Sequence, residues 1–321
     1  MTISKFFGAI GLLRSTSTAV VGLMSLQLVT LRAQITMETQ PPVPTETKSI
    51  ATPTNIPYVT GGGPLQQLDL YYPTGRKGEP LIVVIHGGGW IAGDKTGGGT
   101  NPLPLDLLFD GYAIASINYR LAPGAIWPAQ IQDCKAAIRW LRAHANNYGY
   151  DPNRIGVYGE SAGAHLAVLL AITGATDLFD SGENLGYSSA VSCVIDMFGP
   201  TDLVALAQTA VGQSILPGLF GGPIGDHLDL ARSASPINYV SRSEPPMLVV
   251  HGTHDAFVPY SESVLFTEAM TRANARYDFH TVIGGGHGTY CGFGSQGIGA
   301  LEDRAVRPMI RAFFARYLEI W

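Results

Sequence analysis

Charge is scarce in this chain. Only 14% of its 321 residues are charged, and 25 acidic residues against 20 basic ones leave a net charge of −5. A sparse, acidic surface excludes the partners that need a basic patch, nucleic acid and an anionic membrane surface. Cysteine is scarcer still, with Cys134, Cys193 and Cys291 alone. Three thiols cannot all pair, which excludes a disulfide scaffold and leaves open one bridge in an oxidising compartment. Cys134 falls in a helical pattern and Cys193 in an apolar strand, where a buried thiol is the expected state. No His/Cys/carboxylate cluster has metal-ligand spacing. Neither Gly61-Gly62-Gly63 nor Gly97-Gly98-Gly99 leads into a phosphate loop or a dinucleotide fingerprint, so neither a metal nor a cofactor is expected.

The N-terminal segment also lacks something: no acid precedes Glu38, while Lys5, Arg14 and Arg32 supply cations. Between them the apolar stretch 19–29 is too short to cross a bilayer, and Leu31-Arg32-Ala33 offers a small-residue cut. Residues 1–33 therefore read as a signal peptide, with an uncleaved anchor as the alternative. Its removal takes three cations from −5 and leaves −8. A Pro/Thr-rich linker or strap over 34–57 is expected next, and then a catalytic domain over 58–321.

What the chain does have is apolar mass. At 46% hydrophobic it can bury a large core in one domain. Strand patterns are expected near 67–72, 81–85, 113–118, 154–158, 191–197, 247–250 and 277–283, with helical periodicity over 129–146, 162–173, 261–273 and 306–318. Alternation of the two implies an α/β fold, a mostly parallel sheet covered on both faces. Residues 201–240 have weak periodicity with several Gly and Pro, and are expected to form a small cap or lid over the site.

The chemistry centres on Gly159-Glu160-Ser161-Ala162-Gly163, which joins the strand pattern ending at Tyr158 to a helical one. A serine on such a turn is strained and exposed, and glycines two residues either side remove Cβ atoms that would collide. Hydroxyl is a poor nucleophile unless a base, an orienting acid and oxyanion donors are at hand. His86-Gly87-Gly88-Gly89-Trp90 follows one strand pattern, His251-Gly252-Thr253-His254-Asp255 another, and Gly284-Gly285-Gly286-His287-Gly288 a third. All therefore fall at the carboxyl edge of the sheet, where α/β sites are built. The order Ser161, Asp255, His287 is that of nucleophile, acid and base in α/β-hydrolases, with the N–H groups of Gly88, Gly89 and Ala162 as the oxyanion hole. Trp90 and Tyr119 flank the mouth and are candidates for binding substrate by stacking on an aromatic acyl group or a sugar ring, with walling the pocket as the commoner role of such residues.

Taken together, His86-Gly87-Gly88-Gly89-Trp90, Gly93-Asp94-Lys95, Tyr119-Arg120-Leu121-Ala122-Pro123, Asp133 with Trp140, the serine pentapeptide, and Asp255 with Val258-Pro259 resemble the bacteroidetes feruloyl esterase-like group, cousins of the hormone-sensitive-lipase-like carboxylesterases. The resemblance covers about residues 55–321. It implies an α/β-hydrolase fold and a serine esterase whose triad is Ser161, Asp255 and His287, with acetyl or feruloyl groups of polysaccharide among the family's substrates, while the glycine-rich loop and a lid without a long apolar helix predict a shallow pocket for short acyl esters. One departure is Ala164, where many relatives carry a further glycine.

Other residues have less chemical readings. His86 and His251 are expected to bond loop backbone, His165 to be a packed core histidine, and Asp202 to cap a helix. His254 rivals His287 as base, yet adjacent residues rarely point the same way as a neighbouring Asp255. Amide hydrolysis of the arylformamidase or oligopeptidase kind is the competing chemistry, and a binding protein on a dead hydrolase scaffold is disfavoured because every triad position is filled.

Overall fold

Burial on both faces makes a strand read as an unbroken apolar run, and Leu81-Ile82-Val83-Val84-Ile85 is such a run, with every residue at most 4% exposed. In the computed structural model it forms most of β3 (Glu79–Ile85), in the middle of an eight-stranded sheet. The structure describes residues 52–73, 78–97, 103–288 and 304–318, all within the compact unit Lys48–Trp321. The expected leader, most of the expected linker and Cys291 lie outside the described residues.

The remaining strands are β1 (Ile56–Pro57), β2 (Gln67–Tyr71), β4 (Ala113–Ile117), β5 (Tyr150–Glu160), β6 (Cys193–Met197), β7 (Met247–Gly252) and β8 (Tyr277–Val282). Their order across the sheet is β1-β2-β4-β3-β5-β6-β7-β8. The pairs β1/β2 and β2/β4 are antiparallel, and every pair from β4 to β8 is parallel. This is the α/β-hydrolase fold expected from the alternating pattern. The α-helices among the described residues are α1 (Ala129–Tyr148), α2 (Ala162–Thr173), α3 (Leu203–Leu206), α4 (Ala210–Phe220), α5 (Leu228–Ser233), α6 (Ser261–Ala273) and α7 (Val306–Leu318).

Alternation along β3 divides the core. Leu81, Val83 and Ile85 join the cluster that holds α1, α2 and Phe266 and Met270 of α6, whereas Ile82 and Val84 join the one that holds α7. Each fully buried aliphatic side chain contributes about 1.5–3 kcal/mol, so the two layers together supply the main stabilising term. Cys134 belongs to the first cluster and Cys193 to the second, and both are free, buried thiols.

The sheet begins before residue 58: β1 pairs with β2, Leu70 N–H donates to Pro53 O at 2.9 Å, and Asn55 N–H donates to Asp69 Oδ1 at 2.7 Å. Backbone and carboxylate partners thus fasten residues 53–57 to the sheet edge. The expected cap, 201–240, contains α3, α4 and α5 with short 3₁₀ turns between them. Among the described residues, no helix is long and apolar enough to cross a membrane.

Candidate active site

Ser161 sits between the end of β5 and the start of α2 with φ 54° and ψ −121°, a left-handed conformation that L residues adopt only under constraint. Two backbone hydrogen bonds hold it. The Ser161 N–H donates to Met197 O of β6 at 2.9 Å, and its carbonyl accepts from His165 N–H at 3.0 Å. The flanking glycines are required by space: an ideal Cβ on Gly159 would lie 2.4 Å from Gly163 O, and one on Gly163 would lie 2.1 Å from Ile85 O. Ala164, the departure from the family pattern, fits because its Cβ faces Gly199, whose own Cβ would be only 2.8 Å away.

The loop after β3 runs alongside this turn. A Cβ on Gly87 would meet Ser161 Cβ at 3.3 Å, and Gly88 and Gly89 take φ of 112° and 61°. These left-handed angles turn successive peptides, and Gly88 O accepts from the N–H groups of Ile91 and Ala92. Beyond it, Lys95 closes the loop against the sheet: its Nζ donates to Asp69 Oδ2 at 3.0 Å and Asn55 Oδ1 at 2.9 Å, and its N–H donates to Asn118 Oδ1 at 2.6 Å. A buried, fully partnered ion pair of this kind holds position more than it adds stability.

On the other side of the turn, His287 Nδ1 lies 2.7 Å from Asp255 Oδ2, and the Asp255 side chain is inaccessible to solvent. Asp255 Oδ1 accepts the N–H groups of Phe257 at 2.8 Å and Val258 at 2.9 Å. Burial by itself would raise the Asp255 pKa, but hydrogen bonds from His251 and His287 outweigh it and hold the carboxyl well below the usual range. The carboxylate is therefore ionised at any working pH. The His287 ring packs between Phe198, at 4.6 Å between centroids, and Phe257, at 5.3 Å.

Trp90 and Tyr119 are placed otherwise than expected. Trp90 is 1% exposed and Tyr119 fully buried. The Trp90 indole N–H donates to His165 Nδ1 at 3.2 Å, while the Tyr119 ring stacks on His86 at 4.4 Å and its hydroxyl donates to His86 O. Their faces are occupied by protein, which corrects the expectation that they stack on substrate. His165 has more to do than fill the core: its Nε2 lies 2.6 Å from Ala234 O of the cap, so that nitrogen carries the proton and Nδ1 is free to accept from Trp90. Burial pushes its pKa down to about 4.

The rival residues fall where their types suggest. His254 is exposed, and its N–H donates to Gly285 O. Asp202 caps α3 by accepting from the N–H groups of Val204 and Ala205. His86 Nδ1 lies 2.7 Å from Gly87 O. His251 bonds Val258 O as expected, but it also reaches Asp255, a contact missed in the sequence although the four-residue spacing to Asp255 was visible. A cavity of about 490 Å³ lined by Thr176, Val191, Tyr239, Glu244 and Arg276 opens at the opposite, amino-terminal edge of the strands and holds none of these residues.

The mouth beside Gly89 is apolar. A Cβ on Gly89 would lie 3.7 Å from Ile215 Cδ1 of α4 and 3.9 Å from Ile91 Cγ1. The cap is bonded to the core behind this point, through Trp127 N–H to Leu219 O and Trp127 Nε1–H to Ser233 Oγ.

Comparison with known proteins agrees with this architecture. The family model BD-FAE matches residues 68–270. Esterase LipC of Mycobacterium tuberculosis is 32% identical over 244 residues, 71% of this chain and 58% of the relative, and Esterase LipQ of the same organism is 33% identical over 229 residues, 69% and 53%. The chain thus spans little more than half the length of these curated relatives. Among solved structures, a truncated form of a carbohydrate esterase from gut microbiota superposes with a TM-score of 0.75 at 31% identity, covering 84% of this chain and 97% of that one. The chain belongs to the BD-FAE family of α/β-hydrolases.

Proposed function

We propose that this chain is a serine carboxylesterase with Ser161 as nucleophile, His287 as general base and acid, and Asp255 as the acid that orients it. The observation that carries the reading is the placement, at the carboxyl ends of the same sheet's strands, of a serine at φ 54° and of a histidine held at 2.7 Å by a buried carboxylate. His287 takes the Ser161 hydroxyl proton as Oγ bonds to the ester carbonyl carbon, and the N–H groups of Gly88, Gly89 and Ala162 receive the oxyanion. The C–O bond to the alcohol then breaks and the alcohol leaves with the proton from His287. Water, deprotonated by the same imidazole, attacks the acyl-enzyme and frees the acid and Ser161.

Short acyl groups fit best. Ile215 and Ile91 crowd the space next to Gly89, and each further methylene gains only about 0.8 kcal/mol if it is buried. Likeness to a carbohydrate esterase extends the proposal to acetyl or feruloyl groups on polysaccharide, and the leader-like residues 1–33 to an enzyme that acts after export. Rates of the purified protein on p-nitrophenyl acetate, butyrate, octanoate and palmitate, methyl ferulate and a formyl anilide test the reading. Acetyl or butyryl should lead; dominance of palmitate would overturn the short-acyl proposal, and dominance of the anilide would move the enzyme to amide chemistry.

A further inference from the structure

His251 is fully buried at the end of β7, directly behind the catalytic acid proposed above. Its Nε2 lies 3.0 Å from Val258 O and 3.3 Å from Asp255 Oδ2. Both neighbours are acceptors only, the one a carbonyl and the other a carboxylate held ionised. Nε2 therefore carries a hydrogen, shared between them, whichever charge the ring has. Nδ1 lies 2.7 Å from Ser263 Oγ of α6, which fixes the ring from the other side. Asp255 Oδ2 is thus not reserved for His287: His287 Nδ1 lies 2.7 Å from it and His251 Nε2 3.3 Å.

We infer that His251 is a positioning residue for the esterase reaction, which fixes the Asp255 carboxylate and, by drawing on the lone pairs of Oδ2, limits how strongly that carboxylate stabilises protonated His287. The inference rests on the triad reading of the preceding subsection. The physical argument is a competition at one oxygen. An acceptor oxygen that already receives a second N–H is a weaker partner for the first, and the imidazolium of His287 is stabilised less.

Other groups around His251 belong to the same balance. Asp196 of β6 is fully buried with Oδ1 accepting from Gly199 N–H, and burial pushes its pKa up to about 7. Glu262 of α6 accepts the N–H groups of Thr201 and Asp202 and is raised by burial. The Tyr260 ring stands edge-on to His251 at 5.8 Å. Neither Asp196 nor Glu262 is among the nearest polar neighbours of its two ring nitrogens, which are Ser263 Oγ, Val258 O and Asp255 Oδ2. Removing the Nε2 donor therefore acts on Asp255 first.

The test is the pH profile of kcat and kcat/KM with p-nitrophenyl butyrate for wild type, His251→Phe, His251→Gln and Ser263→Ala. His251→Phe should lower kcat by about tenfold with KM nearly unchanged, since an acid that has lost one fixing bond positions the base less well. It should also move the acid limb of kcat/KM to higher pH by about half a unit, because Asp255 then holds the His287 proton more tightly. His251→Gln, whose amide N–H can reach the place of Nε2, should recover most of both effects, and Ser263→Ala should show a smaller shift in the same direction. A merely structural role would lower the amplitude and leave the acid limb where it is. An unmoved acid limb in His251→Phe overturns the inference, and if that variant does not fold, an unmoved limb in Ser263→Ala does so. Ser161→Ala, run in parallel, separates the two levels: activity surviving in it overturns the triad reading itself, whereas its loss together with an unmoved limb overturns the role of His251 alone.

Discussion

Acid should weaken this protein through His165, and the effect can be worked out from its surroundings. The ring is fully buried, accepts from Trp90 Nε1–H at Nδ1 and donates from Nε2 to Ala234 O. Burial pushes its folded-state pKa down from the ordinary 6.5 to about 4. The unfolded chain consequently binds a proton that the folded one refuses between those two values, and stability falls as pH drops through that window. By linkage the loss is about 1.4 kcal/mol at about pH 5.5 and about 3 kcal/mol at about pH 4, levelling off below. Once protonated, Nδ1 becomes a donor facing the Trp90 donor, so the loop that carries Gly88 and Gly89 loses its bond to α2, while Nε2–H still donates to Ala234 O. Urea unfolding of wild type and His165→Gln at pH 7, 5.5 and 4 isolates this term, because other titrations are common to both proteins. The variant is expected to be the less stable at pH 7, and the gap should narrow by about 3 kcal/mol on going to pH 4. Parallel stability curves for the two proteins would refute the reasoning.

Two further substitutions follow from the geometry. Asp255→Asn should lower kcat by about ten-thousandfold, since an amide holds His287 in the wrong tautomer, whereas Asp202→Asn should change activity less than about twofold because Asn caps α3 equally well; kcat on p-nitrophenyl butyrate decides, and the reverse ranking would move the acid to the loop after β6. Gly163→Ala puts a Cβ 2.1 Å from Ile85 O and 2.5 Å from His86 O, both backbone atoms that cannot step aside, so it should destabilise by about 3 kcal/mol or prevent folding. Gly63→Ala, with nothing within 4 Å of its Cβ, should stay within about 0.5 kcal/mol of wild type by thermal unfolding.

What could be read in the sequence was what depends on neighbours in the chain. The apolar run of β3, the serine pentapeptide between β5 and α2, and the strand-then-loop placement of Asp255 and His287 are local patterns, and each element appears where its pattern lay. β1 is two residues long, too short to carry a period, and its existence depends on β2 lying beside it. Burial of Trp90 depends on His165 of α2, 75 residues later, and that of Tyr119 on His86, so no pattern around either aromatic marks it as closed to substrate. The same holds for His251: the turn from Asp255 to Val258 folds the carboxylate back onto β7, and only that turn makes the histidine its partner.

The central claim is that Ser161 forms the covalent intermediate. Treatment with a p-nitrophenyl alkylphosphonate, followed by intact-mass measurement and peptide mapping, reads this out at the level of one residue. The account predicts a single adduct on the peptide containing Ser161, formed in step with loss of activity and absent from Ser161→Ala and slowed in His287→Ala. Stoichiometric inactivation with the adduct on any other side chain, or labelling that persists in Ser161→Ala, would contradict it.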